Sequence, residues 1–333
     1  MNRTSPPVLA PGPRVLCIGD IAADVFASAM PCLPRPGELL LCDRIACFPG
    51  GNALNTAVAL RRLGERVRFV GSVGDDVFGE LLVAELERIG LDTGGVKREP
   101  GGATPTTLIY RAEGEDRRYI HALGVAEHFT GEDIPPELLP ADGVLLAAGY
   151  LKLPSWNDQA LGDLFRQARQ RGSTVVLNVC IPRQDGVDRQ RCLRLLQHVD
   201  VFVLNELEAC LLTGEQGLPA QARALRQAGA RLAIITRGAD GLFAEGEGRT
   251  VEMGVFTVPL VDPSGCGDCF SAGLIAAMLR GWDLASTLRF ASAVGALGVT
   301  ALGCTTGVPS FAEVESFLTQ NDVECRVGNS IGG

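Results

Sequence analysis

Between residues 143 and 236 short apolar runs alternate with helical patterns, and this order constrains the fold more than any other feature of the chain. Strand-like runs at 143–148, 174–179, 199–204 and 231–236 are interleaved with helical stretches at 157–171, 188–196, 205–213 and about 218–228. Such alternation predicts a mostly parallel sheet with helices on both faces. The signals continue upstream. RVLCIG (14–19) reads as a buried first strand, and Gly50-Gly51 opens a helix over 52–63 that Gly64 closes. A strand over 67–73 follows, then a helix that starts near Asp75-Asp76 and ends near Gly90.

Two segments break the pattern. Residues 24–48 carry Pro31, Pro34, Pro36 and Gly37 among short apolar pieces and read as a small β excursion. Residues 93–122 contain TPTTLIYR and RRYIHAL around the polar turn EGED, a hairpin signature that would pair with the first excursion. A second hairpin, 241–244 with 249–253, precedes two Ala-rich helices and a short one at 310–319. With no repeat and no linker, the expectation is one α/β domain over 14–320. Its small β lid would come from about 24–48 and 103–122, and residues 1–13 and 321–333 read as flexible ends.

Composition removes several function classes. The formal net charge is −9, from 30 basic and 39 acidic residues, and no basic run offers a footprint for nucleic acid. No uninterrupted apolar stretch reaches membrane-spanning length, and the proline-rich start lacks a signal-peptide core. The eleven cysteines are odd in number and scattered, which points to a reducing cytoplasm. Cys266 and Cys269 form a C-x-x-C, but no second pair accompanies them and only three histidines exist, so zinc or thioredoxin chemistry is not expected. Neither a G-x-G-x-x-G after the first strand nor a P-loop is present, which argues against a dinucleotide enzyme and a P-loop phosphate site.

The segment VDPSGCGDCFSAGL (261–274) runs from an apolar piece through a Gly-rich turn into a helix starting at about Gly267-Asp268. Backbone N–H groups at a helix start are unpaired, and the helix dipole adds positive charge there. Gly265 and Gly267, flanking Cys266, would let a phosphate approach that backbone closely. Asp268 beside them can accept the proton of an attacking hydroxyl. An acid in a first helical turn is equally an ordinary dipole partner, so the turn alone leaves both readings open.

DPSGCGD resembles the D-T-x-G-A-G-D signature of the ribokinase (PfkB) family of sugar and nucleoside kinases, with Pro263 and Cys266 replacing Thr and Ala. Four more stretches resemble family motifs in the family order: FPGGNALNTAVALRRLG (48–64) with GSVGDDVFG (71–79), NELEACLLTG (205–214), ITRGADG (235–241) and GCTTGVP (303–309). The resemblance runs from about Arg14 to Phe317. It implies a ribokinase-like α/β fold and transfer of the γ-phosphoryl of ATP to a hydroxymethyl group of a sugar or related molecule. Asp268 would be the base, with Gly265, Cys266 and Gly267 as the anion hole. Asp24, Gly50, Gly51 and Asn55 would face the acceptor. Asn205 and Glu208 would lie near the triphosphate, Glu208 organising Mg²⁺ through water. Thr236, Gly238 and Gly241 would line the nucleotide site, and Ser292 aligns with an Asn often seen near the adenine.

Departures from the pattern bear on the acceptor. Ala22 and Gly149 stand where an Asn and an acid are common, and Asn178 lies where an acid is usual. Ala301 and Gly307 replace side chains around the family's monovalent-cation site, which leaves K⁺ open. A homodimer formed through the lid is the family's expectation. A nucleoside kinase of the same fold and a non-catalytic sugar- or nucleotide-binding homologue are the alternatives. Retention of Asp268 between its glycines and the helix argues against the latter, since a binder needs no base.

Overall fold

The computed structural model describes residues 12–132, 134–182 and 188–330. In chain order the first half holds β1 (Val15–Gly19), β2 (Ala22–Ala27), β3 (Ile45–Gly50), α1 (Asn52–Arg62), β4 (Val67–Gly74), α2 (Val77–Ile89) and β5 (Asp92–Glu99). Then come β6 (Thr106–Tyr110), β7 (Arg118–Ala122), β8 (Val144–Tyr150), α3 (Asp158–Gln170), β9 (Thr174–Val179) and α4 (Arg189–Leu195). The second half continues with β10 (Val201–Asn205), α5 (Glu206–Thr213), α6 (Leu218–Gln227), β11 (Leu232–Thr236), β12 (Leu242–Gly246) and β13 (Arg249–Met253). It ends with α7 (Cys266–Met278), α8 (Leu284–Gly298), α9 (Phe311–Gln320) and β14 (Cys325–Asn329).

Ten strands form one sheet in the order β14-β13-β12-β11-β10-β9-β8-β1-β4-β5. The run from β11 to β5 is parallel, and β12, β13 and β14 add an antiparallel edge. The central parallel strands β1 and β8 to β11 are mainly apolar because both faces are covered. In β1 the side chains alternate: Val15 and Cys17 enter one core with α1, α2, α7, α8 and α9. Leu16 and Ile18 enter the other, with α3, α4, α5 and α6. The expected three-layer α/β fold is therefore present. No helix among the described residues is long and apolar enough to cross a membrane.

The lid is a separate four-stranded sheet, β3-β2-β6-β7, in which β2 pairs antiparallel with β3 and parallel with β6. The two excursions do pair, as expected. The segment 93–122 divides, however: residues 92–99 are β5 of the main sheet, and only 106–122 form the lid hairpin. Composition alone does not separate these, since β5 is half polar at a sheet edge.

The ends also differ from expectation. Residues 325–329, within the tail that the sequence marks as flexible, form β14 and pair with β13. All five residues are exposed, so the strand is held by backbone hydrogen bonds and leaves no apolar pattern in the sequence. Of the expected flexible start, residues 1–11 lie outside the described residues.

Candidate active site

The carboxyl ends of the parallel strands converge beside the start of α7, where ligands of open α/β sheets bind. The turn before α7 is built around Gly265, the N-cap residue, at φ 72°. That left-handed conformation suits glycine, and a Cβ there would lie 2.6 Å from Cys304. The helix begins at Cys266, one residue earlier than expected. Gly267 has open space where a side chain would be, so its backbone can be approached.

Asp262 fixes the turn from behind, accepting hydrogen bonds from the Ser264 and Gly303 N–H groups, each at 3.0 Å. Arg117 enters from the lid. Its Nη1 donates to Ser264 Oγ at 2.9 Å and lies 3.8 Å from Asp262 Oδ1. Cys266 does not become an activated thiol at this helix start. Burial raises its pKa, and the neighbouring Asp268 pushes it the same way.

Asp268 is only 6% exposed and accepts two side-chain amides: Asn52 Nδ2 at 3.2 Å on Oδ1 and Asn55 Nδ2 at 2.8 Å on Oδ2. Burial raises its pKa from 3.8 to about 7, against the lowering effect of the two amides. A carboxyl poised near neutrality can take a proton from a hydroxyl and later release it. Asn55, expected to face an acceptor, sits on this carboxyl, and its Oδ1 is buried without a hydrogen-bond partner.

Asp24 lies in β2, 5% exposed, opposite Thr107 of β6, whose side chain hydrogen-bonds to it. Cys304 Sγ donates to its Oδ2 at 3.4 Å. Burial raises this carboxyl to about 6. Gly50 ends β3 opposite Ala22, and a Cβ there would stand 2.0 Å from the Asp24 carboxylate. Gly51, at φ 99°, caps α1 and packs on the backbone of Asp20.

On the far side of the turn, Asn205 ends β10 and Thr236 ends β11, as register partners. Asn205 and Glu208 form a capping box at the start of α5. Glu208 Oε2 accepts the Asn205 N–H at 2.9 Å and Oε1 the Ile181 N–H at 3.3 Å, while burial raises its pKa to about 7. The pair therefore holds a helix end, and a buried carboxylate there keeps free lone pairs for water on a hard cation. Among the described residues no group of three or more His, Cys, Asp or Glu could hold a metal ion by itself. Gly238 has open space around it. Gly241 instead packs against the Met253 backbone, and Ser292 Oγ lies 3.6 Å from Met253 Sδ.

Residues 13–310 match the sequence profile of the pfkB family carbohydrate kinases. The chain belongs to that family. Membership makes this pfkB-family chain a phosphotransferase with an alcohol group as acceptor. It is 28% identical to the ribokinase of Haemophilus influenzae over 309 residues, covering 90% of this chain and 97% of that one. It is also 28% identical to a nucleoside kinase of Methanothermobacter thermautotrophicus, covering 92% and 96%. A putative ribokinase II from E. coli, solved with ATP and Mg²⁺, shares the fold with a TM-score of 0.81 at 22% identity, covering 92% of this chain and 99% of that one.

Several residues of the site left no readable signal in the sequence. Asn52 occupies a variable position of the G-G-x-x-x-N stretch at 50–55. Asp20 and Lys152 follow β1 and β8, and they form an ion pair buried behind Asn52, whose Oδ1 accepts from Lys152 Nζ at 3.3 Å. Arg117 and His121 lie in or beside β7 on the lid, and His121 Nδ1 is 3.1 Å from Thr107 Oγ1. They come from four separate places in the chain (the ends of β1 and β8, the start of α1, and β7), so only the tertiary fold brings them together. The Leu-Lys-Leu order (151–153) after β8 could have marked Lys152 only through its strand-end position, where site residues of parallel sheets concentrate.

Proposed function

We propose that this pfkB-family kinase transfers the γ-phosphoryl group of Mg-ATP to a hydroxymethyl group of an uncharged sugar, with Asp268 as general base. The observation that carries this reading is the buried Asp268 carboxyl, raised to about 7 and held by two amides one residue from the open backbone of Gly267. A hydroxyl approaching Asp268 would lose its proton as it attacks in line. The N–H groups of Gly265, Cys266 and Gly267, at the positive end of α7, would meet the charge on the transferring group.

The acceptor would lie between Asp268 and Asp24 under the lid, with Asp24 accepting hydrogen bonds from its hydroxyls. Asp20, Asp24 and Asp268 share a single buried ammonium, Lys152. That balance favours an uncharged polyhydroxy molecule over a sugar acid or a sugar phosphate. The nucleotide would occupy the ends of β10 and β11 around Asn205, Thr236 and Gly238, with Mg²⁺ held through water near Glu208. The lid would cover the acceptor and keep out water. Its outer face carries Leu108 and Ile120, register partners that are 46% and 56% exposed, and this apolar pair supports a homodimer joined through the lid.

The test is ADP release from Mg-ATP over pentoses, hexoses, sugar acids, sugar phosphates and nucleosides. Selective turnover with a neutral sugar supports the proposal. Preference for a nucleoside would favour the relative's activity, and nucleotide binding without turnover on any acceptor would refute the kinase assignment.

A further inference from the structure

Behind the Asp268 carboxyl lies a chain of polar groups drawn from four elements. Asp20 follows β1, Lys152 follows β8, Asn52 opens α1, and Asp268 stands in the first turn of α7. Lys152 pairs with Asp20 Oδ2 and donates to Asn52 Oδ1 at 3.3 Å. Asn52 Nδ2 then donates to Asp268 Oδ1 at 3.2 Å. The side chains of Asp20 and Lys152 are only 2% and 15% exposed, so the pair is not a solvated surface bridge.

The orientation of Asn52 follows from chemistry. An ammonium only donates hydrogen bonds, so the amide oxygen must face Lys152. That leaves the amide NH₂ for Asp268. Asn55 has no such lock, because its own Oδ1 is buried without a partner. Of the two amides on Asp268, only Asn52 is therefore fixed from behind.

We propose that Lys152, held by Asp20, is the positioning residue that locks the Asn52 amide and keeps Asp268 in its proton-accepting form. The proposal rests on the assignment of Asp268 as the base, and it extends that assignment to a pair that no recognised motif contains. Without Lys152 the Asn52 amide is free to turn its oxygen toward Asp268, which favours a protonated carboxyl. Asp20 also loses its counter-charge, which acts in the same direction. Both effects make Asp268 a worse base at neutral pH.

The groups facing Asp268 are few. Besides Asn52 and Asn55 on α1, Asp20 and Lys152 act on it most directly, in opposite directions. Cys180 after β9, Cys304 in the 301–307 loop, and Cys266 and Cys269 on α7 also lie within electrostatic reach. Burial holds all four as neutral thiols, so they contribute no charge at physiological pH. Asp24 and His121 reach the cluster through Lys152, and His121 is neutral, its pKa lowered to about 4 by burial and by that ammonium.

The test measures the Asp268 carboxyl directly, in the full chain without ligands, by ¹³C NMR titration of labelled aspartates. Asp268→Asn identifies the resonance. Lys152→Met should lower the ionisation constant of Asp268 about tenfold, and Asp20→Asn, which leaves the ammonium unopposed, should raise it. The double variant Lys152→Met/Asp20→Asn removes one charge of each sign but leaves the Asn52 amide unlocked, so it should recover only the electrostatic part and stay about threefold below the wild type. A purely structural loss would not be restored by a second deletion. Where Lys152→Met fails to fold, the Asp20→Asn arm tests the same chain with the opposite sign. Ionisation within twofold of wild type in both single variants overturns the proposal. The acidic limb of kcat/KM against pH should move with the NMR value. Titrations that shift as expected in a protein phosphorylating no sugar would refute the kinase assignment while supporting the chain of positioning contacts.

Discussion

Replacing Asp268 by Asn separates the chemistry of the site from its stability. The substitution preserves shape and removes the proton acceptor. Loss of a positioned general base costs about 10²- to 10⁴-fold in rate, or about 3–5 kcal/mol of transition-state stabilisation. Binding should survive, because the backbone N–H groups of the turn and the Thr236–Gly238 side are untouched. Stability should rise. The folded carboxyl titrates at about 7 against 3.8 for the free group, a gap worth about 4 kcal/mol at most. Because the folded pKa is raised, the folded state binds the extra proton between about pH 4 and 7. Wild-type stability therefore falls as pH rises through that window and levels off above it. The Asn variant lacks this loss. Its amide also finds an acceptor when the Asn55 side chain turns over, since the Asn55 Oδ1 has no partner to lose.

Thermal melting should show little difference between the two proteins at pH 4 and an advantage for Asp268→Asn of about 4 °C or more at pH 8. Turnover is followed by coupled ADP release and Mg-ATP affinity by calorimetry. Near-normal turnover would refute the base. A melting difference that is flat or reversed with pH would refute a carboxyl whose pKa is raised by burial.

Asp24→Asn should raise the acceptor KM tenfold or more while the Mg-ATP KM stays within about twofold, as expected for a charged hydrogen-bond partner of substrate hydroxyls; equal loss toward both substrates would contradict its placement. Glu208→Ala removes the capping box of α5 and should cost about 1 kcal/mol in denaturant unfolding. It should also raise the Mg-ATP KM, and an unchanged KM beside lowered stability would reduce Glu208 to a helix cap. Ile120→Asp places a charge on the exposed apolar pair of the lid and should convert a dimer to a monomer by light scattering; a wild-type protein already monomeric at micromolar concentration would rule out pairing through this face.

Much of this protein was decided by local sequence order. The uninterrupted apolar runs of β8 to β11 and the helices between them specify a parallel sheet, because a strand covered on both faces must be apolar throughout and must be joined by a crossover. The Gly-rich turn before α7 is equally local: Gly265 needs a left-handed backbone and Gly267 open space, both properties of a few adjacent residues. Where burial and long-range contact decide, the sequence is silent. Nothing in the order of residues says that Asn55 would lie against Asp268, that Arg117 would reach Ser264 across 147 positions, or that Asp20, Lys152 and Asn52 would line up behind the base. Nor does it mark β14, whose exposed residues pair through the backbone alone. The raised pKa of Asp268 belongs with these, since desolvation is a property of the space around a group, and that space is made by four elements meeting at one end of the sheet.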